Sequence, residues 1–566
     1  MKLYYVMSLV AMVTQVLAAP NPSHLKWFAC SDGTSKTSED SAAPKAECAF
    51  YRAPLCYPGI CNAPKHADPI VKIFVKRFPA VNNPEMASNM WLLQGESLHS
   101  TNLFWDIFWF DSGLKGAVNV YTMDHRGTGR ITLLDCVGMQ LGSPSSVSQV
   151  PACAQALEKK YGDLASFSVT SAATDVATFI SDFTNGLNTI VCGVSYGTVV
   201  VERLMHLNPP QVTGYVLDSI ATTSGASRDK TFFASAWDSN FGEVGDAFLA
   251  LCATTNECSK WFESKSLPAT LQDVITKFDK KPKSTCAALV SKLYRDQSSE
   301  PASYLLRRAL SILLMDASLR TLIPPIVYRL SRCKSKDVDV LKHFFMASIA
   351  AQSVPSNDSA FASFLLYYLV VYSEMWEKPT PSTSEMTSRV TNALISSAQV
   401  YSDVPIYCAF SKEKSPVCDQ FVVGNYDGNG IIYEVDKYWN KSATIPPQAS
   451  VLLLSGTLDV QTPHKYAESL LEVLIGEKKE LVAFEYATHN AIVSTPLNHG
   501  KETCGMKILL SYVKNDGDLK LLDKSCVDEM PAFSLSPKLD DQYHYLSTDD
   551  AYDGRYNKRL SASASS

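Results

Sequence analysis

The 566-residue sequence is poor in several things. Charged residues make up only 19% of it, and the formal net charge is −6. No dense basic run occurs, so a general attraction to nucleic acid or to an anionic membrane is excluded. After residue 20 no apolar run reaches the roughly 20 residues of a membrane span. The nearest, from Phe361 to Tyr372, reads as a buried helix. There is no paired C-x₂-C motif and the 10 histidines are scattered, so no structural zinc pattern exists. No internal repeat is present. What is plentiful is apolar chain, 46% of the residues, enough for a large core. Cysteine is also plentiful, at an odd count of 15.

The N-terminus bears on the cysteines. Met1-Lys2 is followed by a mostly apolar stretch from Leu3 to Leu17, small residues suited to cleavage, and Pro20 and Pro22. This reads as a signal peptide over 1–19, too short for an anchor. The expected location is extracellular, or the lumen of the secretory or vacuolar pathway. Disulfides are then favoured. Sequence spacing invites Cys56–Cys61, Cys252–Cys258, Cys408–Cys418, Cys504–Cys526 and Cys136–Cys153, with Cys30–Cys48 and Cys286–Cys333 as looser pairings. Cys192 is left over. Spacing alone leaves the connectivity open. Asn357 and Asn440 sit in sequons permissive for glycosylation.

Periodicity divides the chain further. A disulfide-tied segment is expected over 20–67. Short, nearly continuous apolar runs alternate with helical stretches over 68–225, and again over 447–530. That pattern indicates a buried, mostly parallel sheet. Between them, 226–446 is dominated by helical periodicity with Pro-rich breaks. The reading is an α/β fold interrupted by a large helical cap. Residues 531–566 are polar and expected to form a loose tail.

Gly193-Val194-Ser195-Tyr196-Gly197 fits G-x-S-x-G between a strand and a helix, the setting of a nucleophile on a strained turn. A serine hydroxyl needs a base, and the base needs an orienting acid. In an α/β-hydrolase both follow the serine, on loops after late strands. Ser450 to Leu454 runs into the Asp459 loop, and Glu480 to Tyr486 runs into His489. Asp459 would hold the tautomer and His489 would take the proton. His464 lies in the opening turn of a helix, His499 lies too far from the strand end, and His206 falls on the helix after Ser195. Backbone N–H groups of Tyr196 and of Gly95-Glu96 are the expected oxyanion donors.

These residues bring a family into view. From about Trp27 to Cys526 the chain resembles the secreted prolyl- and tripeptidyl-aminopeptidases of the α/β-hydrolase fold. The resemblance rests on Asp124-His125-Arg126-Gly127-Thr128-Gly129-Arg130, on Gly193 to Gly197, on Gly456-Thr457-Leu458-Asp459-Val460-Gln461-Thr462-Pro463, and on Cys504 with Cys526. It implies a cap, an exopeptidase acting on peptides with a free N-terminus, and no cofactor. It also implies a cap carboxylate that holds the substrate ammonium, for which Glu374 is the candidate. Two positions depart from the family. Gly95-Glu96-Ser97-Leu98 stands where G-G-P-G is usual, and Ile131 stands where Ser is usual. A carboxylesterase with the same triad, and an inactive secreted binding protein, are the alternatives. Asn425 to Asp436 approximates a calcium loop but starts with Asn and ends with Asp, so it reads as a turn and no metal is assigned.

Overall fold

The computed structural model describes residues 25–30, 46–95, 113–129, 132–136, 147–294, 300–352, 362–498 and 502–563. The expected signal peptide, Glu96, Ile131, Asn357 and His499 lie outside them. Nine strands form one sheet: β1 (Phe28–Ala29), β2 (Glu47–Pro54), β3 (Ile70–Phe78), β4 (Asn89–Leu93), β5 (Asn119–Met123), β6 (Thr189–Val194), β7 (Val212–Asp218), β8 (Ser450–Gly456) and β9 (Lys479–Phe484). Their spatial order is β1-β2-β3-β5-β4-β6-β7-β8-β9. The β1–β2, β2–β3 and β3–β5 pairs are antiparallel and the rest are parallel. Antiparallel entry, one crossed pair and a parallel run carrying the late strands make this the α/β-hydrolase fold. β4, β5 and β8 are buried along their whole length, as expected of strands covered on both faces.

The sheet resumes at β8 after an insertion, and that insertion is the expected helical cap. Its longer helices include Trp237–Ala250, Ala302–Met315, Ser335–Gln352 and Phe364–Glu374. The last of these starts where Ser363 accepts the Leu366 N–H, a serine N-cap. All seven expected disulfides are formed, and Cys192 is free and buried.

Two regions differ from the sequence expectation. The segment over 20–67, expected only to be tied by disulfides, also contributes β2, which pairs along its full length with β3. Its alternation was hidden by Cys, Ala and Pro. The end of the chain, read as loose, lies against the cap. Arg329 is wholly buried and donates to the carbonyls of Ala551, Asp550 and Gly554 at 2.7, 2.9 and 3.0 Å. Tyr552 stacks on Trp261 at 4.4 Å. A polar composition conceals this, because the tail's own carbonyls and a few aromatic rings make the contacts.

Arg126, from the Asp124–Arg130 block, is buried just beyond the end of β5. It donates through Nε and Nη2 to both oxygens of Asp175, each at 2.6 Å, and to the carbonyls of Leu55 and Ser166. Tyr57 donates to the same Asp175 at 2.7 Å. The side chains are 0% and 1% exposed. Removing one partner strands a buried charge, which typically costs about 3–5 kcal/mol. Arg126→Met should therefore lower the denaturant midpoint by that equivalent, read by fluorescence. A shift worth less than about 1 kcal/mol would contradict a two-point buried pair.

Candidate active site

Ser195 follows β6 directly, with φ 56 and ψ −123. That left-handed turn is costly for a residue with a Cβ, and such strain clusters at functional sites. Its N–H donates to the Asp218 carbonyl at 2.9 Å and its carbonyl accepts the Thr198 N–H at 2.9 Å. The turn is thus pinned to β7 on one side and opens the helix Tyr196–Leu207 on the other. Two glycines make room. A Cβ on Gly197 would lie 2.6 Å from the Leu93 carbonyl oxygen, and one on Gly95 would lie 2.9 Å from Ser195 Cβ. Gly95 therefore brings the loop after β4 against the serine. Tyr196 is the first residue of the helix, so its N–H has no partner one turn back within that helix.

Asp459 leaves β8 and is completely buried. Its Oδ1 accepts the backbone N–H groups of Gln461 and Thr462, each at 2.9 Å, and Oδ2 accepts the Thr462 hydroxyl at 2.8 Å. His489 Nδ1 lies 2.8 Å from Oδ2 and 3.1 Å from Oδ1. Burial raises the Asp459 carboxyl, but the His489 charge, His489 and Thr462 outweigh it, and the group is held below the ordinary carboxylate value. Because the folded value lies below 3.8, this interaction stabilises the fold above about pH 4 and is lost as pH falls through the lowered value.

The loop after His489 is tied to the core by residues that sequence reasoning passed over. Asp218, at the end of β7, accepts the N–H groups of Ala491 and Ile492 at 3.0 and 2.9 Å. Ser219 Oγ accepts that of Asn490 at 2.7 Å. Burial pushes the Asp218 carboxyl up to about 6 despite these donors. Its folded value lies above 3.8, so its ionised form costs stability at neutral pH, and that cost is relieved as pH falls from about 6 towards 4. An acidic residue closing an otherwise apolar strand was the available signal. Thr462 was visible only as part of the acid-loop motif.

Ser195 and Thr462 share a cavity of about 80 Å³. Its far wall is apolar, built from Phe232, Trp237, Tyr367, Val370, Val371 and Met375. Three of these lie on the cap helix Phe364–Glu374 and Met375 follows it. Tyr196 also lines the cavity, and its hydroxyl lies 3.0 Å from His125 Nε2. Burial lowers the His125 pKa to about 4; with Nδ1–H donating to the Arg126 carbonyl at 2.8 Å, Nε2 of the neutral ring accepts a hydrogen bond from the Tyr196 hydroxyl. His464 instead meets Ser455 at 3.0 Å, and His206 stacks on Tyr438 at 5.1 Å.

Glu374, expected from the resemblance to hold a substrate ammonium, is engaged within the protein. It is 3% exposed and not among the described residues lining the cavity. Its carboxylate takes Arg203 Nη2 at 2.8 Å and the Tyr433 hydroxyl at 2.7 Å. Arg203 rises from the helix after Ser195, and a buried guanidinium is costly unless it is paired or hydrogen-bonded. Glu374 thus joins the cap to the core. The Asn425–Asp436 loop is likewise occupied by protein cations. Lys412 Nζ donates to the carbonyls of Tyr426 and Gly428, each at 2.6 Å, and Asp436 pairs with Arg203 at 3.2 Å.

No family model and no curated protein matches the chain. Among solved structures it is similar to an esterase from Exiguobacterium antarcticum, at 12% identity over 75% of this chain and 92% of that one, with a TM-score of 0.28. It is similar to the esterase RhEst1 from Rhodococcus sp. ECU1013, at 14% over 83% and 99%, with a TM-score of 0.30. Alpha/beta hydrolase domain-containing protein 10 from mouse gives 10% over 80% and 98%, with a TM-score of 0.28. Likeness at this level carries no weight for function; the fold rests on the strand order.

Proposed function

We propose that this chain is a serine acyl hydrolase: Ser195 attacks a carbonyl, His489 accepts its proton, and Asp459 orients the ring. The observation behind this reading is the left-handed Ser195 turn on an apolar cavity that Thr462 also lines, with Thr462 bonded to the buried Asp459 that meets His489 at 2.8 Å. With Nδ1 engaged by Asp459, Nε2 is the nitrogen that can take the serine proton. The N–H groups of Tyr196 and of the loop at Gly95 and Glu96 would meet the developing oxyanion. Acylation of Ser195 expels the alcohol or amine, protonated by His489. Water, deprotonated by the same histidine, then releases the acid.

The apolar cavity supports substrates with a bulky apolar group next to the scissile carbonyl, ester chemistry included. Esters of such acids should be hydrolysed about tenfold faster or more than the acetyl ester of the same alcohol. A preference for acetyl would overturn this. The aminopeptidase reading is favoured by the Asp124–Arg130 and Gly456–Pro463 motifs, but it needs an anion for the substrate ammonium. Glu374 is committed elsewhere. Tripeptidyl-anilides with and without an N-acetyl group separate the two. Equal cleavage removes the free-N-terminus requirement, and loss on acetylation supports it.

A further inference from the structure

The His489 loop is fixed downstream by Asp218 and Ser219, both from the core sheet. Upstream it is fixed by parts of the chain remote in sequence. Arg320, in the cap turn Leu319–Leu322, donates from Nη2 to the Tyr486 carbonyl at 2.7 Å. Tyr486 stands three residues before His489 in the left-handed region, with φ 61, and gives its N–H to Thr457 Oγ1 at 3.0 Å. Phe533, from the C-terminal segment, lies on the Tyr486 ring with centroids 4.6 Å apart. The Arg320 guanidinium carbon is 5.4 Å from the Phe533 ring.

Arg320 is 6% exposed, yet its Nε and Nη1 have no hydrogen-bond partner among the described residues. A buried cation with two open donors is an unfavourable residue to keep for packing alone, since each unmet group costs about 1–3 kcal/mol. Among the described residues, its hydrogen bond goes to the strained residue leading into the histidine. A proton-transferring group must be held within about 0.5 Å of its working place, and a misplacement of about 1 Å can cost 10²-fold in rate.

We propose that Arg320 is a positioning residue for His489, and that the cap and C-terminal segment, through Arg320 and Phe533 on Tyr486, complete the histidine loop. The proposal rests on the serine-hydrolase reading. The site geometry therefore depends on chain that follows the histidine by more than forty residues, and on a cap turn far before it.

The test compares Arg320→Met, Arg320→Lys and Phe533→Ala in the full chain, using an apolar acyl ester and titration of Ser195 with a fluorophosphonate. In Arg320→Met, kcat per titrated site should fall about 10- to 100-fold with KM nearly unchanged. Arg320→Lys should recover part of the loss, and Phe533→Ala should show a smaller loss in the same direction. A packing role alone would lower the titre and melting temperature but leave kcat per site intact. That outcome overturns the proposal. If Arg320→Met does not fold, the other two variants decide on the same criterion. A wild type that neither labels nor turns over would instead overturn the hydrolase reading itself.

Discussion

Ser195→Ala should abolish hydrolysis of ester and anilide substrates, with kcat falling on the order of 10⁶-fold, and should abolish fluorophosphonate labelling. The magnitude follows from what the substitution leaves in place. The apolar cavity, the Asp459–His489 pair and the backbone donors near Gly95 and Tyr196 all persist. They can still bind a substrate and polarise its carbonyl, but no atom remains to form the acyl bond. Alanine keeps the left-handed turn, the Ser195 N–H bond to Asp218 and the helix start. The serine side chain makes no cap hydrogen bond to the helix, so the melting temperature should stay within a degree or two of the wild type. Loss of activity with an intact fold is the expected pairing. Turnover in Ser195→Ala within tenfold of the wild type would rule out the assigned nucleophile.

Asp459→Asn should lower kcat by about 10⁴-fold. An asparagine oxygen can still accept the Gln461 and Thr462 N–H groups, which both point at Oδ1. Its NH₂ then replaces Oδ2, where His489 Nδ1 and the Thr462 hydroxyl now bond. Facing an amide donor, Nδ1 must become an acceptor and the ring proton moves to Nε2. That tautomer cannot take a proton from Ser195. Binding needs no such proton transfer, so KM should change far less than kcat. In the wild type the Asp459 carboxyl lies below the usual range, so it stays ionised across the assay range. Asp218, pushed up to about 6 by burial, is the carboxyl beside the histidine loop that protonates on the acid side. If Asp459→Asn keeps a kcat within tenfold of the wild type, a different carboxylate orients the ring, and Asp218 is the one to replace next.

Much of this arrangement was readable in the sequence for a simple reason. Ser195, Asp459 and His489 each sit where an apolar strand ends, and buried strands write themselves as short apolar runs. Strand, turn and helix around Ser195 are local, and so is the β8 exit to Asp459. The cysteine pairs were readable because six of the seven close short loops. What failed was of another kind. Glu374 was a candidate ammonium ligand only through the family resemblance, and its partner Arg203 lies 171 residues away. The polar end of the chain looked unanchored because its partners, Arg329, Trp261 and Tyr486, are distant and its own carbonyls do the bonding.

The sequence by itself therefore determined the sheet and its order of chemistry. It specified which turn would carry the proposed nucleophile, which late strands would deliver the proposed acid and histidine, and that a helical insertion separates them. Those features depend on period, on local strain tolerance and on chain order. Tertiary structure alone decided that the cavity wall is apolar and that Glu374 is spent on Arg203. It alone decided that Asp218 on one side and Arg320 with Phe533 on the other bracket the histidine loop. The physical reason is burial. A charged group inside a protein is defined by whatever meets it there, and that partner can lie anywhere along the chain.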